Sequence, residues 1–258
     1  MKKYTLITGG ASGLGLELSK RFAKDKNDLV LISSNINNLN SAKEMLEKEY
    51  GIEVKVLALD LSDNKNFPLV KEFVEKNDIR VNNLVNCAGF GDCHDFKDMD
   101  IDRQIRMVEL NCNCPMYLTR LFINDMIEQK EGHILDINSI AAFFPGPFMS
   151  TYHASKIFFL YMSESIEREL KGTGVKVTRV CPGPFSSDFV NKAQNFHTFS
   201  KMKPISTEKV ADITYKAFKK NKSTKIIGFK SKLMIFASRF APRKFIINTS
   251  AKQIKKGA

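Results

Sequence analysis

Two rhythms of apolar and polar positions alternate along the chain. Short apolar runs at 4–8, 28–33, 53–58, 83–86, 133–138, 175–181 and 225–227 have strand length, and most of the intervals between them repeat apolar residues at helical spacing. Strands alternating with helices in this way form βαβ units, whose parallel sheet is covered by helices on both faces. No internal repeat, low-complexity stretch or linker interrupts the pattern, which predicts one α/β domain. Two stretches break the rhythm. One is a loop-like excursion from Pro182 to Pro204, carrying Phe185, Phe189, Phe196 and Phe199; the other is the segment after Gly228.

Composition narrows the class. With 258 residues, 43% of them hydrophobic and 26% charged, the chain has enough apolar surface for a core and is not a disordered protein. No apolar run approaches the roughly 20 residues of a spanning helix. The start, MKKYTLITGG, is too short in apolar residues for a signal-peptide core, so a cytoplasmic protein is expected. Five cysteines (Cys87, Cys93, Cys112, Cys114, Cys181) without CxxC spacing are expected to be free thiols. Cys93, His94 and Asp95 are adjacent, and three neighbours rarely converge on one ion, so no metal site is expected.

The net charge of +12 is unevenly placed. Residues 1–212 hold 27 Lys+Arg against 28 Asp+Glu, whereas residues 213–258 hold 13 Lys+Arg and no acid. A nucleic-acid-binding body would be basic throughout; this one is neutral, no binding motif accompanies the charge, and nucleic acid is not an expected partner.

Thr8-Gly9-Gly10-Ala11-Ser12-Gly13-Leu14-Gly15 follows the first strand and opens a helix. Glycines there permit a tight turn and a close backbone approach, and the helix start offers unpaired N–H groups to a phosphate. At the end of the second strand, an acid would suit the ribose diol of NAD and an arginine the 2′-phosphate of NADP. The chain has Ser33-Ser34-Asn35 instead. Without a carboxylate to repel a phosphate, and with Ser34 and Asn35 as hydrogen-bond donors, NADP(H) is mildly preferred and NAD(H) remains open.

Tyr152 and Lys156 in YHASK stand four apart at the start of a helical pattern, on one face. An ammonium near a phenol favours the phenolate, which makes Tyr152 a candidate general acid/base. His153, its neighbour, points elsewhere and is assigned to packing or the surface. Ser139 ends a strand 13 residues earlier, and Asn86-Cys87-Ala88-Gly89 and Asn111 complete the set. The chain resembles the classical short-chain dehydrogenase/reductase family over residues 2 to about 228. The motifs that carry it are TGGASGLG, Asp60 in ALDLSD, NCAG, Asn111 in ELNCN, Ser139 in INSIAA, YHASK and CPGPFSSDF. Within the family it is most similar to the DltE-type oxidoreductases, whose C-terminal part also carries an apolar, basic stretch with a Pro-Arg like Pro242-Arg243.

The resemblance implies a Rossmann-type doubly wound parallel sheet over 1–228, with a substrate loop at about 182–206 and a basic, apolar extension at 229–258. It implies an NAD(P)(H)-dependent oxidoreductase that passes hydride between the nicotinamide and a carbonyl or secondary alcohol. In that reading Tyr152 exchanges the proton, Lys156 holds the nicotinamide ribose and lowers the Tyr152 pKa, Ser139 bonds the carbonyl, and Asn111 anchors a relay water. Gly9, Ser12, Gly13, Leu14 and Gly15 would surround the pyrophosphate, and Ser34 and Asn35 the adenosine ribose. Asp60 and Leu61 would meet the adenine, Asn86, Ala88 and Gly89 its ribose, and Pro182, Gly183 and Ser187 the nicotinamide. Cys87 replaces the usual second Asn of NNAG, and Ser187 a common Thr. A homo-oligomer is expected by resemblance. The Phe-rich stretches imply a small apolar substrate. A cofactor-binding sensor or scaffold without turnover is the alternative.

Leu233, Phe236, Ala237 and Phe240 form an apolar stripe among Lys230, Lys232 and Arg239, ended by Pro242 and followed by Phe245, Ile246 and Ile247. Packing over the cleft or a subunit interface is the first expectation for this segment. Peripheral contact with an anionic membrane is the second.

Overall fold

The computed structural model describes residues 1–186 and 204–255. The strands are β1 (Lys2–Thr8), β2 (Asp28–Ser33), β3 (Val54–Ala58), β4 (Ile79–Asn86), β5 (Gly132–Ile137), β6 (Val175–Pro182), the two-residue β7 (Phe185–Ser186) and β8 (Ile205–Ser206), and β9 (Thr224–Ile227). The helices are α1 (Gly13–Lys24), α2 (Ile36–Tyr50), α3 (Phe67–Lys76), α4 (Ile101–Val108), α5 (Cys114–Glu128), α6 (Ser150–Glu169), α7 (Thr207–Lys219), α8 (Phe229–Ser238) and α9 (Arg243–Lys255). Seven strands make one parallel sheet in the order β3-β2-β1-β4-β5-β6-β9, and β7 pairs with β8 apart from it.

Alternation along each strand decides which layer a residue joins. Ile7, Leu29, Leu31 and Val85 pack against α1, α2 and α7, while Leu6, Val30, Ile32 and Leu84 face α3 and α5 on the other side. Phe22 of α1 meets Tyr215 and Phe218 of α7 edge-on, with ring centroids 4.9 and 5.0 Å apart. Arg179 on β6 is fully buried and pairs with Glu167 of α6 and with Ser223 and Thr224 at β9, so one side chain fixes the last strand to the sheet.

Each apolar run of the sequence becomes a strand of the large sheet. β4 starts four residues before its run because the register with β1 slips between Tyr4 and Thr5, which breaks the alternation around Asn82. The polar Asn83 is satisfied there by Thr5, with Nδ2 donating to Oγ1 at 2.9 Å. Chain order reverses at β1, which has β2 on one side and β4 on the other. Such a switch point leaves a crevice beyond the carboxyl ends of the strands.

Beyond β9 the chain does not trail away. α8 packs on β9 and on the turn Ile140–Phe143. Pro242 ends the first stripe as expected, and α9 follows where the sequence showed only an apolar patch. Ile254 of α9 joins Met107, Ala141, Met149 and Tyr152 in a small core.

Candidate active site

A cavity of about 1330 Å³ occupies the crevice. One end is the turn between β1 and α1. Gly9 has φ +67°, and a Cβ on it would stand 3.2 Å from Ala88 Cα; a Cβ on Gly15 would lie 2.1 Å from Gly9 O. The turn and the strand-end loop therefore touch through bare backbone. Thr8 locks them, its hydroxyl accepting from Cys87 N at 3.0 Å and Ala88 N at 3.1 Å.

The same turn fits a dinucleotide pyrophosphate. Gly13 (φ +50°) would place a Cβ in open space. Ser12 at the start of α1 makes no side-chain capping bond, and no acid occupies the first turn, so the positive end of the helix faces the cavity unopposed.

Further along, Ser34 is an exposed part of the wall. Asn35 is not brought to the cavity: its Oδ1 accepts from Asn38 N at 3.1 Å and caps α2. A residue one position before a helix is drawn into capping, which engages the amide oxygen. Leu61 lines the cavity, as does Asp60, whose carboxylate accepts from Ser62 N and Oγ and pairs with Arg106 of α4 at 2.5 Å. Burial would raise the Asp60 pKa, but those hydrogen bonds and the guanidinium hold it below the usual carboxylate value. Ala88 and Gly89 form wall; Asn86 lies behind it, donating to Asp136 Oδ1 at 2.9 Å within the sheet. Pro182 and Gly183 line the opposite side, and Ser187, Phe189, Phe196 and Phe199 lie outside the described residues.

Ser139, Tyr152 and Lys156 meet at the far end. The Ser139 hydroxyl is hydrogen-bonded to the Tyr152 phenol and also accepts from Ala141 N at 3.1 Å. Lys156 Nζ donates to Ile137 O at 3.4 Å and lies 5.9 Å from the Tyr152 ring centre. Burial pushes the Tyr152 phenol up to about 12, and the Ser139 bond offsets this only in part. The expected lowering by Lys156 does not prevail: Lys156 is itself buried, which pulls its own pKa down. A bare Gly89 makes room for the Asn111 amide beside this amine, since a Cβ there would come within 2.9 Å of Asn111 Oδ1.

Asn111 sits in a π-helical turn, Glu109–Asn113, between α4 and α5. Its Nδ2 donates to Phe90 O and Ser155 Oγ, and its Oδ1 accepts from Phe90 N. The side chain thus holds the 87–90 loop against α6 and is spent on positioning.

The sequence profile of the short chain dehydrogenase family matches residues 3–197. The chain belongs to that family. It is similar to the very-long-chain 3-oxoacyl-CoA reductase of Anas platyrhynchos, 31% identical over 184 residues, which are 69% of this chain and 58% of that protein. The chain thus spans little more than half of that relative's length. A short chain dehydrogenase of Pseudocercospora fijiensis is 30% identical over 211 residues, 79% of this chain and 68% of the other. In fold, the chain matches a short-chain dehydrogenase from Sphingobium yanoikuyae, solved in complex with NADPH, with a TM-score of 0.83 and 24% identity over 93% of each.

Several groups of this short-chain dehydrogenase have no expected role. Thr8 was signalled only by preceding the glycine pair. Cys93, considered with His94 and Asp95, is packed in the small core with Tyr152. The active partner of His94 is Asp92, which also pairs with Arg103 at 3.3 Å and accepts from Gln104 at 2.6 Å, anchoring the loop to α4. His153 is buried and lines the cavity; its Nδ1–H donates to Phe144 O at 2.8 Å. Burial lowers its pKa despite the backbone bonds to Phe144 and Ala141, so a neutral packing role stands. α8 contributes Lys230, Ser231 and Met234 to the wall and α9 Ser250, Gln253 and Ile254, segments the family motifs do not reach.

Proposed function

We propose that this short-chain dehydrogenase is an NAD(P)(H)-dependent oxidoreductase, preferring NADP(H), that interconverts the carbonyl and secondary alcohol of an apolar substrate. The observation that carries the reading is one continuous cavity, with an uncapped, glycine-lined helix start at one end and a hydrogen-bonded serine and tyrosine beside a buried lysine at the other. Gly9, Ser12, Gly13, Leu14 and Gly15 would hold the pyrophosphate, Leu61 and Asp60 the adenine end, and Lys156 the nicotinamide ribose. The bound nicotinamide supplies or accepts the hydride. Tyr152, kept protonated at neutral pH by burial, gives its proton to the substrate oxygen in reduction, and Ser139 donates a hydrogen bond to the same oxygen. Lys156 carries the positive charge that stabilises the phenolate left behind.

Phe90, Phe144, Met149, Phe185, Met234 and Ile254 give the reacting end an apolar wall. Such a wall suits a carbonyl next to a hydrocarbon chain, the kind of molecule the name of the Anas relative describes. Ser34 on the wall, without a carboxylate, supports the NADP(H) preference. Exposed Ile105, Met116, Phe158 and Tyr161 on α4, α5 and α6 suit a face between copies in a homo-oligomer.

Oxidation of NADPH against a ketone panel, as a function of pH, tests the reading. The protonated phenol is the active acid and its pKa is pushed up to about 12, so reduction should not fall as pH rises through neutrality, whereas alcohol oxidation, needing the phenolate, should climb. Tyr152→Phe should lower turnover about 10²- to 10⁴-fold. Cofactor binding with no turnover on any ketone would make the protein a sensor instead.

A further inference from the structure

The apolar stripe of the extension faces away from the cleft. Phe229, Leu233, Phe236 and Phe240 fall at i, i+4, i+7 and i+11, one line along α8 and the turn after it, and they are 82%, 59%, 60% and 76% exposed. Phe236 and Phe240 lean on each other, with ring centroids 5.3 Å apart. Phe245 on α9 is exposed as well. The buried side of α8 is Ile235, and its cavity side is Lys230, Ser231 and Met234. One helix therefore closes the substrate end with one flank and presents four large apolar side chains to the outside with another.

Charge says what covers this face. Lys232 and Arg239, seven residues apart, run along one edge of the stripe, Lys230 stands at the other, and Arg243 and Lys244 open α9; all are exposed. Among the described residues, none of these five pairs with a carboxylate. From residue 213 to 258 there are 13 Lys+Arg and no Asp or Glu. A second copy meeting this face would set cations against cations, and a neutral apolar partner would leave them uncompensated. A surface that is apolar a few ångströms down and anionic at its top satisfies both parts, with phenylalanines entering the acyl boundary and lysines and arginines at the headgroups.

We propose that α8 and the start of α9 dock the enzyme on an anionic lipid bilayer, through Phe229, Leu233, Phe236, Phe240 and the cations beside them. Docking would set the wall that carries Met234 one helix away from the hydrocarbon in which an apolar substrate dissolves. No helix among the described residues is long and apolar enough to cross a membrane.

Sedimentation of the full chain with phosphatidylglycerol–phosphatidylcholine vesicles, and with phosphatidylcholine vesicles alone, tests this without reference to turnover. The chain should sediment with the anionic vesicles at low salt, not with the neutral ones, and should be released as salt shortens the screening length. Lys232→Glu and Arg239→Glu should each weaken partitioning by about fivefold or more, the effect of about one cation at an anionic surface. The double variant Phe236→Ser with Phe240→Ser, at exposed positions and checked for native circular dichroism, should weaken it by about tenfold or more. Absence of binding to anionic vesicles at low salt overturns the proposal. So does equal binding by the double variant, and so does light scattering that shows this variant dissociating an oligomer, which would give the face to a second copy.

Discussion

At one end of the cavity the wall is backbone: Gly9 and Gly15 leave no room for side chains, and the strand-end loop is pressed against Gly9 at Ala88. At the other end the wall is side chains, Phe144, Met149, Met234 and Ile254, drawn from segments far apart in sequence. The first kind of wall tolerates almost no change and, in the proposed reading, would meet the part that every dinucleotide shares. The second is adjustable one side chain at a time, and it sets what the enzyme accepts. A family can keep one chemistry and vary its substrates because the two ends are built by different means.

Gly15→Ala attacks the backbone wall where a Cβ would lie 2.1 Å from a carbonyl oxygen, and backbone cannot step aside. We expect a loss of about 1–3 kcal/mol of stability in thermal or urea unfolding, with cofactor affinity lost alongside. Met234→Ala trims the side-chain wall. It should raise KM for bulky ketones by about tenfold and leave a small ketone nearly unchanged, because only the former reach α8; equal effects on both would mean that the two ends are not separable. The smallest effect is expected at Ser34, on the rim of the backbone end. Ser34→Asp should move preference from NADPH towards NADH by about five- to tenfold, the size of one exposed charge–charge contact, read by fluorescence titration of both.

The same division explains what the sequence disclosed. The glycine turn and the Tyr152–Lys156 pair are local, so they stand out in the sequence, the resemblance to the family gave them their roles, and the sheet followed from apolar runs. Asn35 was read for the donors of its amide, whereas the cap engages the amide oxygen, and spacing along the chain does not tell which end is used. The direction of the α8 stripe was hidden for another reason. Phe229, Leu233, Met234, Ile235, Phe236 and Ala237 make that helix apolar on nearly every side, so periodicity names no buried face. α9 was missed because Phe245, Ile246 and Ile247 bunch together, and only Ile254 continues their pattern to the site.

The π turn at Glu109–Asn113 has its own consequence for how this gene can vary. Cys114 N–H reaches back five residues to Glu109 O, one more than a regular helix would need. The rod from Ile101 to Glu128 therefore carries an extra letter in its reading frame. The wide turn absorbs that residue locally, so losing a single codon there would close it into ordinary helix and leave the flanking faces of the rod in phase. Asn111 would leave Phe90, and the loop beside Lys156 would lose its tether. The loop is held by the length of this joint as well as by the Asn111 amide.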